Sequence, residues 1–125
     1  MRKTVLIADD NIFVRTALCE FFKREHDFQV CATAQNGREA IEMASRLHPD
    51  LIVLDRTMLV MDGLESAFLL KNLMPQIPII LYCATPEECP EELLNSVGVS
   101  ALVSKSENVS VLIDTCRSVL YRKAA

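Results

Sequence analysis

Two apolar runs in this chain stop abruptly at carboxylates. Val5-Leu6-Ile7-Ala8 leads into Asp9-Asp10, and Leu51-Ile52-Val53-Leu54 leads into Asp55. A third stretch, Val99 to Ser104, is followed by Lys105. Acids gathered within a few ångström repel one another, so at neutral pH they share protons or hold a cation. Oxygen ligands with places left for water and phosphate suit Mg²⁺ or Mn²⁺, whereas zinc would call for histidine or cysteine. A lysine nearby would pair with a carboxylate at rest and with a phosphoryl oxygen when one arrives.

Whether these residues meet depends on the elements that carry them. Apolar runs of this length ending at a charge predict strands buried on both faces, which present their last residue at the rim of a sheet. Such strands are expected over Lys3–Ala8, Leu51–Asp55, Ile77–Cys83 and Val99–Ser104, with a more polar edge strand over Phe28–Ala34. Between them, Val14, Ala17, Leu18, Phe21 and Phe22 recur at helical spacing in a first helix from Asn11 to about Glu25. Asn36-Gly37-Arg38-Glu39 and Asp62-Gly63-Leu64-Glu65 read as capping boxes that open the second helix and a third ending near Leu73. Thr85-Pro86-Glu87-Glu88 predicts the start of a fourth helix, kinked or weakened by Pro90 and stopped at Gly98. The fifth helix has Val109, Leu112, Ile113, Cys116, Val119 and Leu120 on one face, and Arg117, Arg122 and Lys123 favour its C-terminal end.

Strands alternating with helices imply an α/β fold, a three-layer doubly wound sandwich around a parallel sheet. Two strand orders compete, 2-1-3-4-5 and 3-2-1-4-5. Only the first makes strands one and three neighbours, which would place Asp9, Asp10 and Asp55 in one crevice.

With 125 residues, 50% of them apolar, the chain matches a single domain over 1–125 with room for a proper core. A net charge of -4 argues against a nucleic-acid binder. No apolar run approaches the ~18 residues of a membrane span. The first strand starts near residue 4, so no charged-then-apolar leader is expected. Five cysteines without ligand spacing read as reduced core thiols of a cytoplasmic protein. His26 and His48 are isolated and offer neither a zinc pair nor a triad base.

The paired acids Asp9-Asp10, the segment Leu54-Asp55…Met58…Met61-Asp62-Gly63 and Lys105 together resemble the response-regulator receiver family of two-component signalling, and the likeness spans essentially the whole chain. The resemblance implies the flavodoxin-like (βα)5 sandwich with strand order 2-1-3-4-5. It also implies a phosphoacceptor that assists its own phosphoryl transfer and dephosphorylation but is not otherwise an enzyme. Asp55 would accept the phosphoryl group from a sensor histidine kinase or phosphotransfer protein. Asp10, Asp55 and the Thr57 backbone carbonyl would bind Mg²⁺, Asp9 would help through water, and Lys105 would contact the phosphoryl group. The charge gained would switch a protein-interaction face made of helix four, strand five and helix five, a face also suited to a homodimer. Neither nucleic acid nor membrane is an expected partner.

Several positions depart from the family pattern. Cys83 stands at the switch position, where strand four normally ends in a Ser or Thr whose hydroxyl swings to the phosphoryl group; a thiol is the weaker donor, so a looser link is expected. Leu102 replaces the aromatic switch residue of strand five. Ser106 follows Lys105 in place of a cis proline, and a trans bond is expected because a non-proline cis bond costs about 2.5–4 kcal/mol. Leu59 and Val60 replace the proline and glycine common after the phosphoacceptor, adding apolar surface expected to slow the entry of water.

Other readings differ on single features. A pseudo-receiver that signals without phosphate would share every motif. A flavin or nucleotide binder would need a hydroxyl- or glycine-rich loop where Asp9-Asp10-Asn11 stands. A metal-dependent phosphatase would have an acid at Thr57. Taken singly, Asp10 or Asn11 could cap the first helix, Asp62 reads as a cap, and Cys83 could be a plain core residue or, with Cys89 on the next helix, a redox sensor.

Overall fold

The computed structural model of the protein describes residues 2–121. In chain order, strand β1 (Lys3–Ala8) is followed by helix α1 (Ile12–Lys23), β2 (Phe28–Ala34), α2 (Gly37–Leu47), β3 (Leu51–Asp55) and α3 (Gly63–Leu73). Then come β4 (Ile79–Cys83), a single 3₁₀ turn (Pro86–Glu88), α4 (Glu91–Val97), β5 (Ala101–Ser104) and α5 (Val109–Leu120). The strands form one sheet in the order β2-β1-β3-β4-β5, every neighbouring pair parallel. This is the first of the two orders allowed by the sequence.

The alternation of side chains along each strand sorts the core into two layers. Val5, Ile7, Val53, Ile80, Tyr82 and Val103 pack against Leu18 and Phe22 of α1 and Leu112, Ile113 and Cys116 of α5. Leu6, Ile52, Leu54, Leu81 and Cys83 face the other way, against Ala40 and Ala44 of α2, Ala67 and Leu70 of α3, and Leu94 of α4. Every residue of β3 and β4 is buried, which accounts for their unbroken apolar runs. Each fully buried leucine or isoleucine contributes about 1.5–3 kcal/mol relative to exposure.

Asn11, Asn36 and Asp62 cap α1, α2 and α3, their side-chain oxygens accepting first-turn amide protons. The fourth helical segment differs from expectation. Its first turn at Pro86 is isolated, and α4 begins only at Glu91. Pro90 has no amide proton and its ring would clash with the carbonyl four residues back, at Pro86, so the turn cannot run on into a helix. Thr85 is not a cap either; its hydroxyl donates to Glu88 Oε2 at 2.9 Å. Cys89 accordingly lies between the turn and α4, not on a helix. β4 and β5 each start two residues later than the apolar runs suggested. Arg122 and Lys123, expected to favour the end of the last helix, lie outside the described residues. Among the described residues no helix is long and apolar enough to cross a membrane, and no peptide bond is cis, so Lys105–Ser106 is trans.

Candidate functional site

β1 and β3 run side by side in register, with Ala8 paired to Leu54, so the next residues along, Asp9 and Asp55, emerge together at the carboxyl edge of the sheet. Asp9, Asp10 and Asp55 each offer a carboxylate oxygen, all within 4.8 Å of one another. Asp9 and Asp55 are 1% and 6% exposed, while Asp10 opens to solvent. The donor set is all oxygen, of the hard kind that fits a divalent ion such as Mg²⁺.

Lys105 enters from the end of β5. Its Nζ lies 2.9 Å from Asp9 Oδ2 and 3.1 Å from Asp55 Oδ1. The backbone aims it, because the Lys105 amide donates to the Cys83 carbonyl at 2.8 Å. Parity along the strands does the rest: Asp9, Asp55 and Lys105 continue the sheet face of Ile7, Val53 and Val103. Asp9 also accepts the Asn11 amide proton at 2.9 Å, and its own carbonyl accepts from Arg15 Nη1 at 2.7 Å. Asp55 Oδ1 accepts the Thr57 amide proton at 3.3 Å.

One ammonium cannot balance three carboxylates. Burial, then the charge of Asp9, pushes the Asp55 carboxyl above the usual aspartate range, with Lys105 and the Thr57 amide opposing. For Lys105, burial alone would favour the neutral amine. The hydrogen bond to Asp9 and the charges of Asp9 and Asp55 outweigh it, and the lysine is held above its ordinary value.

The loop after Asp55 is held tightly. A Cβ on Gly63 would lie 2.3 Å from the Asp55 carbonyl oxygen, and the Gly63 amide donates to the Arg56 carbonyl at 2.8 Å, so α3 starts directly against the end of β3. Between them Val60 has φ 71°, a left-handed conformation that a β-branched residue rarely adopts. Leu59 and Val60 were expected to shield the site; both are 74% exposed, so they project into solvent and cover little.

Cys83 takes a different position from the acids. It lies on the opposite sheet face, in the layer of α3 and α4, 1% exposed. Its sulfur accepts the Thr85 amide proton at 3.3 Å and lies 4.0 Å from Cys89 Sγ. Leu102 is half-buried and packs in the same layer.

Sequence reading missed Tyr82, Arg15 and Arg56. The Tyr82 ring lies under Lys105, its centroid 5.7 Å from Nζ, and burial pushes its phenol up. The pairing of Tyr82 with Asp55 puts the ring there, and register between strands cannot be read from one sequence. Arg15 carried a faint signal, being a charge on the first turns of α1 close to Asp9. Arg56 adjoins Asp55 in sequence, but nothing in its spacing marked it.

The family model of the response regulator receiver domain matches residues 5–117. Among curated proteins, the chain is 36% identical to a protein-glutamate methylesterase/protein-glutamine glutaminase of Methanosarcina acetivorans, over 82% of this chain and 30% of that protein. A protein of the same description from Halalkalibacterium halodurans is 33% identical, over 99% of this chain and 36% of that one. The chain thus spans about a third of the length of the curated relatives it matches. Among solved structures, the response regulator domain of Thermotoga maritima CheB superposes with a TM-score of 0.90 at 24% identity, covering 99% of this chain and 100% of that one, a likeness of fold. A chain of the CheX-CheY-BeF3-Mg complex from Borrelia burgdorferi gives a TM-score of 0.86 at 25% identity over 96% and 90%. A parallel sheet in the order β2-β1-β3-β4-β5, an acid cluster at its carboxyl edge and a sequence match over most of the length agree: this chain belongs to the response regulator receiver domain family.

Proposed function

We propose that this chain, as one receiver domain, accepts a phosphoryl group on Asp55 from the phosphohistidine of a sensor histidine kinase or phosphotransfer protein in the cytoplasm. The observation that carries the reading is Lys105 Nζ reaching both Asp9 and Asp55 beside a third carboxylate. Two buried carboxylates and a third beside them at the carboxyl edge of the sheet carry a cost that packing does not repay, whereas a phosphoryl site requires both an ion cradle and a fixed cation.

Asp10, Asp55 and the Thr57 carbonyl would hold Mg²⁺, with Asp9 acting through water. The ion supplies neutralisation of the equatorial phosphoryl oxygens. The chain's own residues do the rest. An Asp55 carboxylate oxygen forms the new P–O bond as the P–N bond to the donor imidazole breaks, in line through a loose transition state. Lys105 moves its hydrogen bond from Asp55 to a phosphoryl oxygen while Asp9 keeps it in place. Asp9 and Asn11, tied by the Asn11 amide, hold the near wall of the site. The charge gained on Asp55 biases the surface of α4, β5 and α5, where a partner or a second copy would read it.

Acetyl phosphate or beryllofluoride with Mg²⁺ tests the reading by intact mass. One adduct on the wild type, absent from Asp55→Asn, is the expected result. An unmodified wild type overturns it and leaves a receiver that signals without phosphate; an adduct that persists in Asp55→Asn overturns it by placing the acceptor elsewhere.

A further inference from the structure

Cys83 and Cys89 form a buried pair on the sheet face opposite the one that carries Asp9 and Asp55. Their sulfurs lie 4.0 Å apart, and the residues are 1% and 4% exposed. The 3₁₀ turn brings them together, with Glu88 N–H donating to the Thr85 carbonyl and Cys89 N–H to the Pro86 carbonyl, both at 3.0 Å. Pro86 and Pro90 restrict the segment on either side, so Cys89 is folded back against the end of β4 by a short, preset loop. Polar groups face the sulfurs. The Thr85 amide donates to Cys83 Sγ at 3.3 Å. The Arg56 guanidinium adjoins Cys89, and its buried Nε has no hydrogen-bond partner.

We propose that Cys83 and Cys89 are a redox-active dithiol that closes to an intramolecular disulfide when the protein meets a peroxide. One thiolate attacks a peroxide oxygen; the O–O bond breaks, leaving a sulfenic acid and releasing water or an alcohol. The second thiol attacks that sulfenic sulfur, forming the S–S bond and releasing water. Two electrons pass from the two sulfurs to the peroxide, and a dithiol reductant reverses the step.

Closure needs the sulfurs to approach by about 2 Å, to the ~2.05 Å of a disulfide. The segment that supplies this movement carries exposed Ala84, Glu87 and Glu88, so its opening also admits the oxidant. Burial, and then the neighbouring Cys83, raise the Cys89 thiol while Arg56 opposes them, which makes the reaction one of the opened turn. The remaining cysteines are placed elsewhere: Cys19 and Cys116 pack on the α1/α5 side of the sheet, and Cys31 lies in β2. The bond would fix residues 84–88, which lead into α4 and thus, on the reading of the output face given above, toward the surface that partners read.

The test is thiol counting and peptide mapping on the full chain. Hydrogen peroxide is expected to lower the alkylatable thiols from five to three and to remove two hydrogen atoms from the intact mass. The linked peptides should hold Cys83 and Cys89, and dithiothreitol should restore all five thiols. Cys83→Ser is expected to stop the loss of two hydrogens. Asp55→Asn should form the bond like the wild type, so failure of the phosphoacceptor reading does not touch this one. Five thiols persisting, a link through another cysteine, a dimer on a non-reducing gel, or oxygen added to one sulfur without closure would each overturn it.

Discussion

Lys105 Nζ lies 3.1 Å from Asp55 Oδ1 and spends the same charge on Asp9, 2.9 Å away. A buried lysine shared by two buried acids leaves the group short of positive charge, and the shortage falls on Asp55, whose carboxyl is raised by burial and by Asp9. Ionising Asp55 therefore carries a cost when no divalent ion is bound.

Asp55→Asn should consequently stabilise the ion-free protein at neutral pH, by about 1 kcal/mol, because it removes a desolvated charge and keeps a polar group. The sign follows from the raised folded value. The folded state binds this proton more readily than the unfolded chain, so the penalty is present at neutral pH and is relieved as pH falls through the folded value of Asp55. Urea melts of wild type and variant should differ at pH 7 and converge in acid. Mg²⁺ should raise the wild-type midpoint and leave the variant's nearly unchanged. A variant less stable than wild type without divalent ion would contradict this account.

Lys105→Ala should act in the opposite direction, losing about 1–3 kcal/mol at pH 7 as two buried carboxylates lose their donor. Lys105 is raised above 10.5 in the folded protein, so its contribution is fully present below 10.5 and fades as pH rises through the higher folded value. The gap between wild type and variant should therefore shrink only in strong alkali. The adduct formed with acetyl phosphate should also form more slowly in the variant, which mass spectrometry over time would measure.

Much of this arrangement was legible beforehand. Runs such as Leu51–Asp55 announce a strand buried on both faces because nothing in them alternates, and the caps at Asn36 and Asp62 fall where the residue types said they would. The meeting of Asp9 with Asp55 needed the strand order as well, which physical reading left open between two choices and which the family likeness favoured. What stayed hidden depends on register and on competition between local rules. Tyr82 reaches Lys105 because β4 pairs with β3 at Asp55. At Thr85 a good helix start was present, but Pro90 stood one turn downstream and prevailed. The left-handed Val60 was hidden too, since residue type argues against the conformation it adopts.

Arg117 ties α5 to the loop before β2. Its Nε and Nη2 donate to Asp27 at 2.9 and 3.0 Å, and Nη2 also meets Glu25 at 2.6 Å. The hydrogen bond from Arg117 holds the Asp27 carboxyl below its ordinary range. That stability is present above the unfolded value of 3.8 and is lost as pH falls through the lower folded one. Because the network is about a third exposed, Arg117→Ala should cost only about 1 kcal/mol at pH 7. Acid unfolding monitored by circular dichroism should show the wild-type advantage disappearing below the range where an ordinary aspartate titrates.

Gly63→Ala tests how closely α3 abuts β3. The added methyl would meet the Asp55 carbonyl oxygen at 2.3 Å and Arg56 Cα at 2.8 Å, both backbone atoms that cannot swing aside. A loss of about 1–3 kcal/mol is expected, together with slower phosphorylation, because relief requires the Asp55 backbone to move. An unchanged urea midpoint would mean that the helix start is free to shift.

Val60→Gly should go the other way. The Met61 amide donates to the Leu59 carbonyl at 2.7 Å, closing a three-residue turn around Val60 at φ 71°. A turn of this hand is strained for any L residue, and a side chain branched at Cβ is among the least suited to it. Holding such a residue left-handed costs about 1–2 kcal/mol, and glycine removes that strain. Against it stands the greater freedom of glycine in the unfolded chain, about 0.5–1 kcal/mol. Burial decides the balance: Val60 is 74% exposed, so almost no packing is lost with the isopropyl group. The strain term is therefore the larger, and a net gain of roughly 0.5–1 kcal/mol is expected in urea denaturation. Val60→Ala supplies the control, since it trims the branch but keeps a Cβ and should recover only part of the gain. Should glycine prove neutral or destabilising, the turn around Val60 would not be storing strain.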